Sequence, residues 1–196
     1  MRAFTDDGPP PYALPMPVSR RSALWMFLAS AALAAAAVTA ATPALAIPAD
    51  TALDTPTGPV VLSVGGALRV TNKDGLAQFD MGMLERLPQK SFQTLTPWYA
   101  KPRKFTGPLL RDVLAAVGSN GQTIEARALN DYRVTIPVAD IQRFDVIVAR
   151  LMDDKPMSLR DKGPLFIIYP FDEHTELRNS VYYGRSAWQL KSLELR

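Results

Sequence analysis

The chain has 196 residues, with 22 lysines and arginines against 19 aspartates and glutamates, one histidine and no cysteine. The missing thiols exclude disulfides, zinc ribbons, iron–sulfur clusters and c-type haem attachment, and a lone histidine, His174, removes the usual zinc ligand sets. So nearly balanced a charge leaves no concentrated basic face of the kind that nucleic-acid binding needs.

Residues 1–46 have the parts of an export signal. A polar, proline-rich lead ends in Ser19-Arg20-Arg21-Ser22. An apolar, alanine-rich segment follows from Ala23 to Ala41, and Ala44-Leu45-Ala46 after Pro43 makes a small-residue cleavage site. Ser19, Arg20, Arg21 and Leu24 fit the twin-arginine pattern, whereas Ala23 and Trp25 stand where an aromatic and a lysine are usual. An ordinary secretory signal and an uncleaved anchor are the other readings, since the apolar segment is long enough to span a bilayer marginally. A periplasmic or secreted location is expected, with membrane contact only through this segment if it stays uncleaved. Residues 47–59, "IPADTALDTPTGP", read as a linker, which leaves 60–196 as one domain large enough for its own core.

Within that domain Val60–Val64 is a short apolar run closed by Gly65-Gly66, hence a strand and a turn. Leu68–Thr71 alternates as a second strand up to Asn72-Lys73-Asp74-Gly75, a strong turn signal, and Leu76–Phe79 is the returning strand. Asp80 is placed to cap a short helix running to Leu87, with Met81, Leu84 and Leu87 on one face and Pro88 as its stop. Ser91–Thr96 alternates as a strand. After Pro97, Trp98 and Tyr99 comes a basic stretch, Lys101 to Lys104. Gly107-Pro108 then opens a predicted helix whose stripe is Leu109, Leu110, Val113, Leu114 and Val117, ending at Gly118.

Thr123–Ala128 and Tyr132–Ile136 flank Asn130-Asp131 as a hairpin, and Pro137–Gln142 suits a helical turn. Val146–Met152 and Leu165–Tyr169 are apolar strands, separated by a turn at Asp153-Asp154. That turn lacks the spaced oxygen ligands of a calcium loop. Residues 170–187 carry no clear periodicity, and Gln189–Leu195 is a last strand. Many short strands with few helices give an α+β class with mixed, mostly antiparallel sheets.

Two clusters carry candidate site residues. In the first, Trp98 and Tyr99 read as a pocket wall or a packed rim. Lys101, Arg103 and Lys104 read either as contacts for a phosphate or another anionic group, or as a solvated loop. Arg111 reads as surface. The second, "YPFDEHTELRNSVYYGRSAW", offers Tyr169, Asp172, His174, Arg178, Tyr182, Tyr183, Arg185 and Trp188. Polar groups on a loop held by two strands suit ligand binding, with an arginine pairing an oxyanion and a tyrosine orienting it. Such aromatic-rich loops also serve simply to cover a sheet edge. Ser180 or Ser186 as a nucleophile beside His174 has no nucleophile elbow to support it, and Gly65-Gly66 lacks a phosphate-loop pattern.

The segments "FDMGMLERLPQKSFQTLTPW", "FTGPLLRDVLAAVG", "ALNDYRVTIPVADI", "VIVARLMDDKPM", "DKGPLFIIYP" and "RSAWQLKSLEL", in this order, resemble the molybdopterin-binding domain of the sulfite oxidase family, in particular its short, exported, single-domain members. The resemblance covers roughly residues 60–196. It implies a β-rich α+β fold, a pocket for the molybdenum cofactor and transfer of an oxygen atom to or from a small substrate. It implies further that Thr94, Thr96, Trp98, Arg103, Tyr169, Asp172, Arg178 and Arg185 are the pocket candidates. The family's molybdenum-binding cysteine would fall within Thr94–Thr96, where this chain has no thiol. Soft sulfur ligation suits such a metal, and a threonine hydroxyl replaces it poorly.

Three functions follow as expectations. One is a non-catalytic accessory or sensing module that binds a small anion, a pterin-like ligand or a periplasmic protein partner. Another is an oxidoreductase holding the molybdenum cofactor through non-thiolate contacts, with Lys101, Arg103, Arg178 and Arg185 carrying the binding. The last is an interaction module presenting Trp98–Tyr99 and Tyr182–Tyr183 as a contact surface.

Overall fold

A computed structural model describes residues 52–196. The export signal, the cleavage site and the start of the linker lie outside the described residues. Among the described residues no helix is long and apolar enough to cross a membrane.

The largest sheet has five strands in the order β2-β1-β11-β5-β6. Strand β1 (Val60–Gly66) pairs antiparallel with β2 (Ala77–Asp80) through the 72–75 turn. Asp74 and Gly75 turn the chain there with positive φ angles of 52° and 75°. The hairpin of β5 (Thr123–Ala128) and β6 (Arg133–Pro137) forms around Asn130-Asp131 as expected, with Thr123 opposite Pro137 and Leu129 included in the loop. The C-terminal strand β11 (Leu190–Leu195) enters between these two hairpins, parallel to β1 and antiparallel to β5. The last strand in sequence is therefore central. Leu190, Leu193 and Leu195 are all buried, which makes its imperfect alternation the mark of an interior strand.

A second sheet runs β3-β4-β8-β9, and a two-stranded sheet joins β10 to β7. Strand β3 (Gln89–Thr94) starts two residues earlier than its alternation suggests and ends at Thr94. Its partner is β4 (Arg103–Pro108), in register from Gln89 opposite Pro108 to Thr94 opposite Arg103. Arg103 and Lys104 of the basic stretch thus open a strand rather than a loop, Lys101 lies before it, and Gly107-Pro108 ends it instead of opening a helix. Helix α2 (Leu110–Ala116) starts only after Leu109. Of the predicted stripe, Leu110, Val113, Leu114 and Val117 are buried as expected, whereas Leu109 precedes the helix, is half-buried and packs against the smaller cluster; Gly118 turns the chain out at φ 61°.

The run Val146–Met152 splits into two strands on either side of Arg150. β7 (Ile147–Ala149) pairs with β10 (Phe166–Ile168), whereas β8 (Leu151–Met152) pairs with β4 and with β9 (Lys155–Pro156). Leu68–Thr71 is not a strand. The Arg69 and Val70 N–H groups both donate to Val117 O at 3.1 Å, so the segment is tied to the end of α2 and lost to any sheet. The remaining helices are α1 (Met81–Arg86), α3 (Val138–Arg143) and α4 (Ser180–Arg185). All β pairings except β1 with β11 are antiparallel, which bears out the α+β class.

Two apolar clusters result. The larger lies between the five-stranded sheet and helices α1 and α2. The smaller gathers Phe92, Phe105, Ile147, Phe166 and Ile168 beneath β3 and β4, with Trp98, Tyr99 and Trp188 packed against it.

Asp80 caps α1 as predicted, and it does more. Its carboxylate accepts from the N–H groups of Met83 (2.8 Å), Thr57 (2.7 Å) and Gly58 (2.9 Å), so one side chain also ties down the chain ahead of β1. These backbone donors, Met83 foremost, lower its pKa from 3.8 to about 2. A depressed carboxylate stabilises the fold above its unfolded-state pKa and loses that contribution as pH falls through the folded value. Urea midpoints should therefore drop between pH 3.8 and about 2. Asp80→Asn keeps a capping oxygen and should flatten that dependence; an unchanged acid limb would mean the carboxylate does not act this way.

Candidate functional site

The loop leaving β3 is held by an exchange with the segment after β10. Thr94 is fully buried, and its Oγ1 accepts from the Asp172 N–H at 3.1 Å. Leu95 N–H donates back to Asp172 Oδ2 at 2.8 Å. The other carboxylate oxygen of Asp172 accepts from Arg178, whose Nε–H donates to Phe171 O at 2.9 Å. Thr94, Asp172 and Arg178 thus form one unit that fixes where the chain turns. Thr96 follows, 4% exposed, with its hydroxyl unpartnered among the described residues.

This turn delivers Trp98 to an aromatic cluster. Its ring lies 5.4 Å from Phe166, 5.6 Å from Trp188 and 6.2 Å from Tyr183, each in a tilted or edge-on geometry that aromatic quadrupoles favour. Trp98, Tyr183 and Trp188 wall an open pocket of about 300 Å³. Tyr132, Asn130, Gly184 and Ser186 also line it, and among the described residues no charged side chain does. The Tyr132 hydroxyl donates to Gly184 O at 2.9 Å and so joins the β5–β6 turn to α4. Lys162 sits behind the tryptophans, its Nζ 4.2 Å from the Trp188 ring centre and 6.0 Å from that of Trp98. Partial burial lowers the pKa of that ammonium.

The other candidates lie elsewhere. Tyr169 is fully buried and its hydroxyl donates to Asp140 Oδ2 at 2.9 Å; Arg185 Nη1 donates to the same oxygen at 2.8 Å. Burial first, then the Asp140 charge, drives the Tyr169 phenol pKa upward, so it is a neutral donor. Arg103 pairs with Asp153 at 2.9 Å and lies over the Tyr99 ring, and Lys104 pairs with Asp154 at 2.8 Å. Lys101 is exposed. His174 stands edge-on to Phe144 at 5.0 Å with Nδ1 4.0 Å from Glu176. Ser186 Oγ–H donates to Tyr182 O at 3.0 Å, and among the described residues no hydrogen bond joins His174 to Ser180 or Ser186.

Of the eight pocket candidates, then, Trp98 alone lines the aromatic pocket. Thr94, Thr96, Asp172 and Arg178 shape the loop that presents it. Tyr169 and Arg185 meet at Asp140, and Arg103 is held by Asp153. Sequence reading missed Asp140, Asn130 and Tyr132. Asp140 lies in a segment read only as a helical turn, and its partners are 29 and 45 residues away.

The donor set is a poor match for a thiolate-anchored molybdenum centre. The hydroxyl at Thr94 is already engaged, among the described residues no three His, Cys, Asp or Glu side chains gather as a metal site, and Arg103, Arg178 and Arg185 each have a carboxylate partner.

The sheet-rich α+β arrangement is a sulfite oxidase molybdopterin-binding-domain-like fold. The structure is similar to that of the sulfane dehydrogenase SoxCD from Paracoccus pantotrophus, with a TM-score of 0.52 and 14% sequence identity over 68% of this chain and 37% of that one. The chain thus spans little more than a third of that protein's length, and likeness at this identity shows the fold alone. No family model and no curated protein matches the sequence.

Proposed function

We propose that this chain is a non-catalytic, exported ligand-binding module on a sulfite oxidase-like scaffold, serving as an accessory or sensing component. What supports this reading above all is the environment of Thr94. Within Thr94–Thr96, where the resemblance puts a metal-binding thiolate, the chain offers two buried hydroxyls instead, that of Thr94 committed to the Asp172 N–H and that of Thr96 without a partner among the described residues. The scaffold keeps the loop and gives up the soft ligand. Trp98, Tyr183 and Trp188 offer ring faces and edges to a planar heteroaromatic ligand of the pterin kind, with Asn130 as a polar partner. A small bare anion fits this pocket less well, because no cation lines it.

The sequence has three tryptophans, and Trp98 and Trp188 both wall the pocket, while Trp25 belongs to the expected leader. In a chain cleaved after Ala46 the tryptophan fluorescence therefore comes from the pocket alone. Titration with a simple pterin, corrected for its own absorbance, should quench that emission saturably. Trp98→Ala should weaken binding by about tenfold, the scale of one aromatic contact. Elemental analysis of natively exported protein should find molybdenum well below one per chain. Stoichiometric molybdenum with turnover of sulfite or a sulfoxide would overturn this reading in favour of an oxidoreductase using the molybdenum cofactor.

A second reading takes the pocket rim as a contact for a periplasmic protein. Tyr132 and Leu129 on the hairpin and Val181 on α4 are 45–54% exposed, an unusual grouping of bare apolar side chains. Capture of a defined partner that is lost with Leu129→Ser and Val181→Ser, while pterin binding stays intact, would favour it.

A further inference from the structure

A different cavity lies along the outer face of α2. It measures about 620 Å³ and is open to solvent, bounded by α2, the 118–122 loop and α3. Its room comes from small side chains, Ala115 and Gly118 on one wall and Ala139 on the other. Its charge is of one sign. Arg69 and Arg111 both line it, with Ser119, Asn120, Gln122 and Gln142, and among the described residues no carboxylate does.

The two arginines differ in a way that matters. Arg111 is anchored: its Nη2 meets Asp145 at 2.7 Å, and Lys90 meets the same carboxylate at 3.2 Å. One negative charge thus serves two cations, leaving excess positive charge at that end. Arg69 has neither an ion pair nor a side-chain hydrogen bond to any other described residue. Its exposed side chain lies over Gly118, where an added Cβ would come within 3.1 Å of Nε.

The plain structural role for such an arginine is to cap the carbonyls at the end of α2. Three of those carbonyls already have backbone donors. Ala115 O accepts from the Gly118 N–H, Leu114 O from the Ser119 N–H, and Val117 O from the N–H groups of Arg69 itself and Val70. The Arg69 guanidinium is left with its donors facing an acid-free cleft.

We propose that this cleft is a second binding site, for a small polar molecule carrying a carboxylate or phosphate group. The oxyanion would be forked by Arg69 and drawn by the surplus charge at Arg111, with the rest of the molecule held by the amides of Asn120, Gln122 and Gln142. The site is separate from the aromatic pocket, so its ligand leaves the tryptophans untouched.

The test is calorimetry on the exported chain with citrate and with inorganic pyrophosphate, at constant ionic strength. One of the two should bind saturably at one per chain, and the tighter one tells a carboxylate site from a phosphate site. Arg69→Gln should weaken that binding by about tenfold or more, the scale of a charge-assisted pair. Ala139→Phe, which fills the cleft without changing charge, should abolish it. Arg160→Gln, at an arginine outside the cleft that likewise has no ion pair, should change nothing. Tryptophan emission should not move. Absence of saturable binding by either anion would overturn the proposal, and so would an equal loss from Arg160→Gln, which would reduce it to general surface charge.

Discussion

Asp140→Ala should be among the most damaging single substitutions in this chain, at a cost of about 3 kcal/mol or more. Asp140 is 8% exposed, and one of its oxygens accepts from both the Tyr169 hydroxyl and Arg185. It thereby joins α3 to β10 and to α4, three elements far apart in sequence. Removing the carboxylate strands a largely buried guanidinium and leaves a fully buried phenol without its partner, and both penalties act together. The two can be separated. Tyr169→Phe alone should cost about 1 kcal/mol, the net value of one hydrogen bond. Arg185→Met in the Asp140→Ala background should recover part of the loss, because it removes the uncompensated charge. Urea unfolding with linear extrapolation measures all three. An Asp140→Ala midpoint close to wild type, or a double variant worse than the single, would show that the carboxylate does not hold these elements together. The same substitution should loosen α4, which carries Tyr183, and so weaken pterin quenching.

The parts of the fold that were legible in the sequence are those fixed by neighbours. The 72–75 and β5–β6 turns, the Asp80 cap, most of the α2 stripe and the Gly118 stop each depend on residues within a few positions of one another, and each forms as read, although the 72–75 turn brings β2 back against β1 rather than against Leu68–Thr71. What could not be read depends on distant partners. Arg103 to Pro108 looks like a basic loop running into a helix because nothing local reveals that β3 and β8 lie on its two sides. Gln189–Leu195 is visible as a strand, but its central and parallel position is set by β1, more than a hundred residues earlier. The candidate site divides in the same manner. Trp98 is legible as an aromatic beside a strand end, and Tyr183 and Trp188 as parts of an aromatic-rich segment. Tyr132 reaches the pocket only because a hairpin turn lies against α4. The arginines were legible as anion binders by type, whereas their carboxylate partners were not, since Asp140 and Asp153 are 45 and 50 residues away.

Gly107→Ala should be as severe, and for a reason with no electrostatics in it. A Cβ at Gly107 would lie 2.0 Å from Val148 O, 2.7 Å from Val148 C and 2.8 Å from the Ala149 Cα. All three are backbone atoms of β7, which has no side-chain rotamer to change in response. Strands β4 and β7 cross at this point, so a single methyl group must push them apart. The cost should be about 3 kcal/mol, the upper part of the range for overpacking. Gly75→Ala is the matched control. It sits at φ 75° with nothing within 4 Å of its added Cβ, so it carries backbone strain alone, about 1 kcal/mol. Gly107 has no positive φ, so the difference between the two variants measures close approach without conformational strain. Equal losses would deny the crossing this role. Because Phe105 on β4 packs on Phe166, and Phe166 on Trp98, the displaced strand should also disturb the pocket. Tryptophan emission of Gly107→Ala should shift toward that of the unfolded chain below its own midpoint, whereas Gly75→Ala should keep the native spectrum until it unfolds.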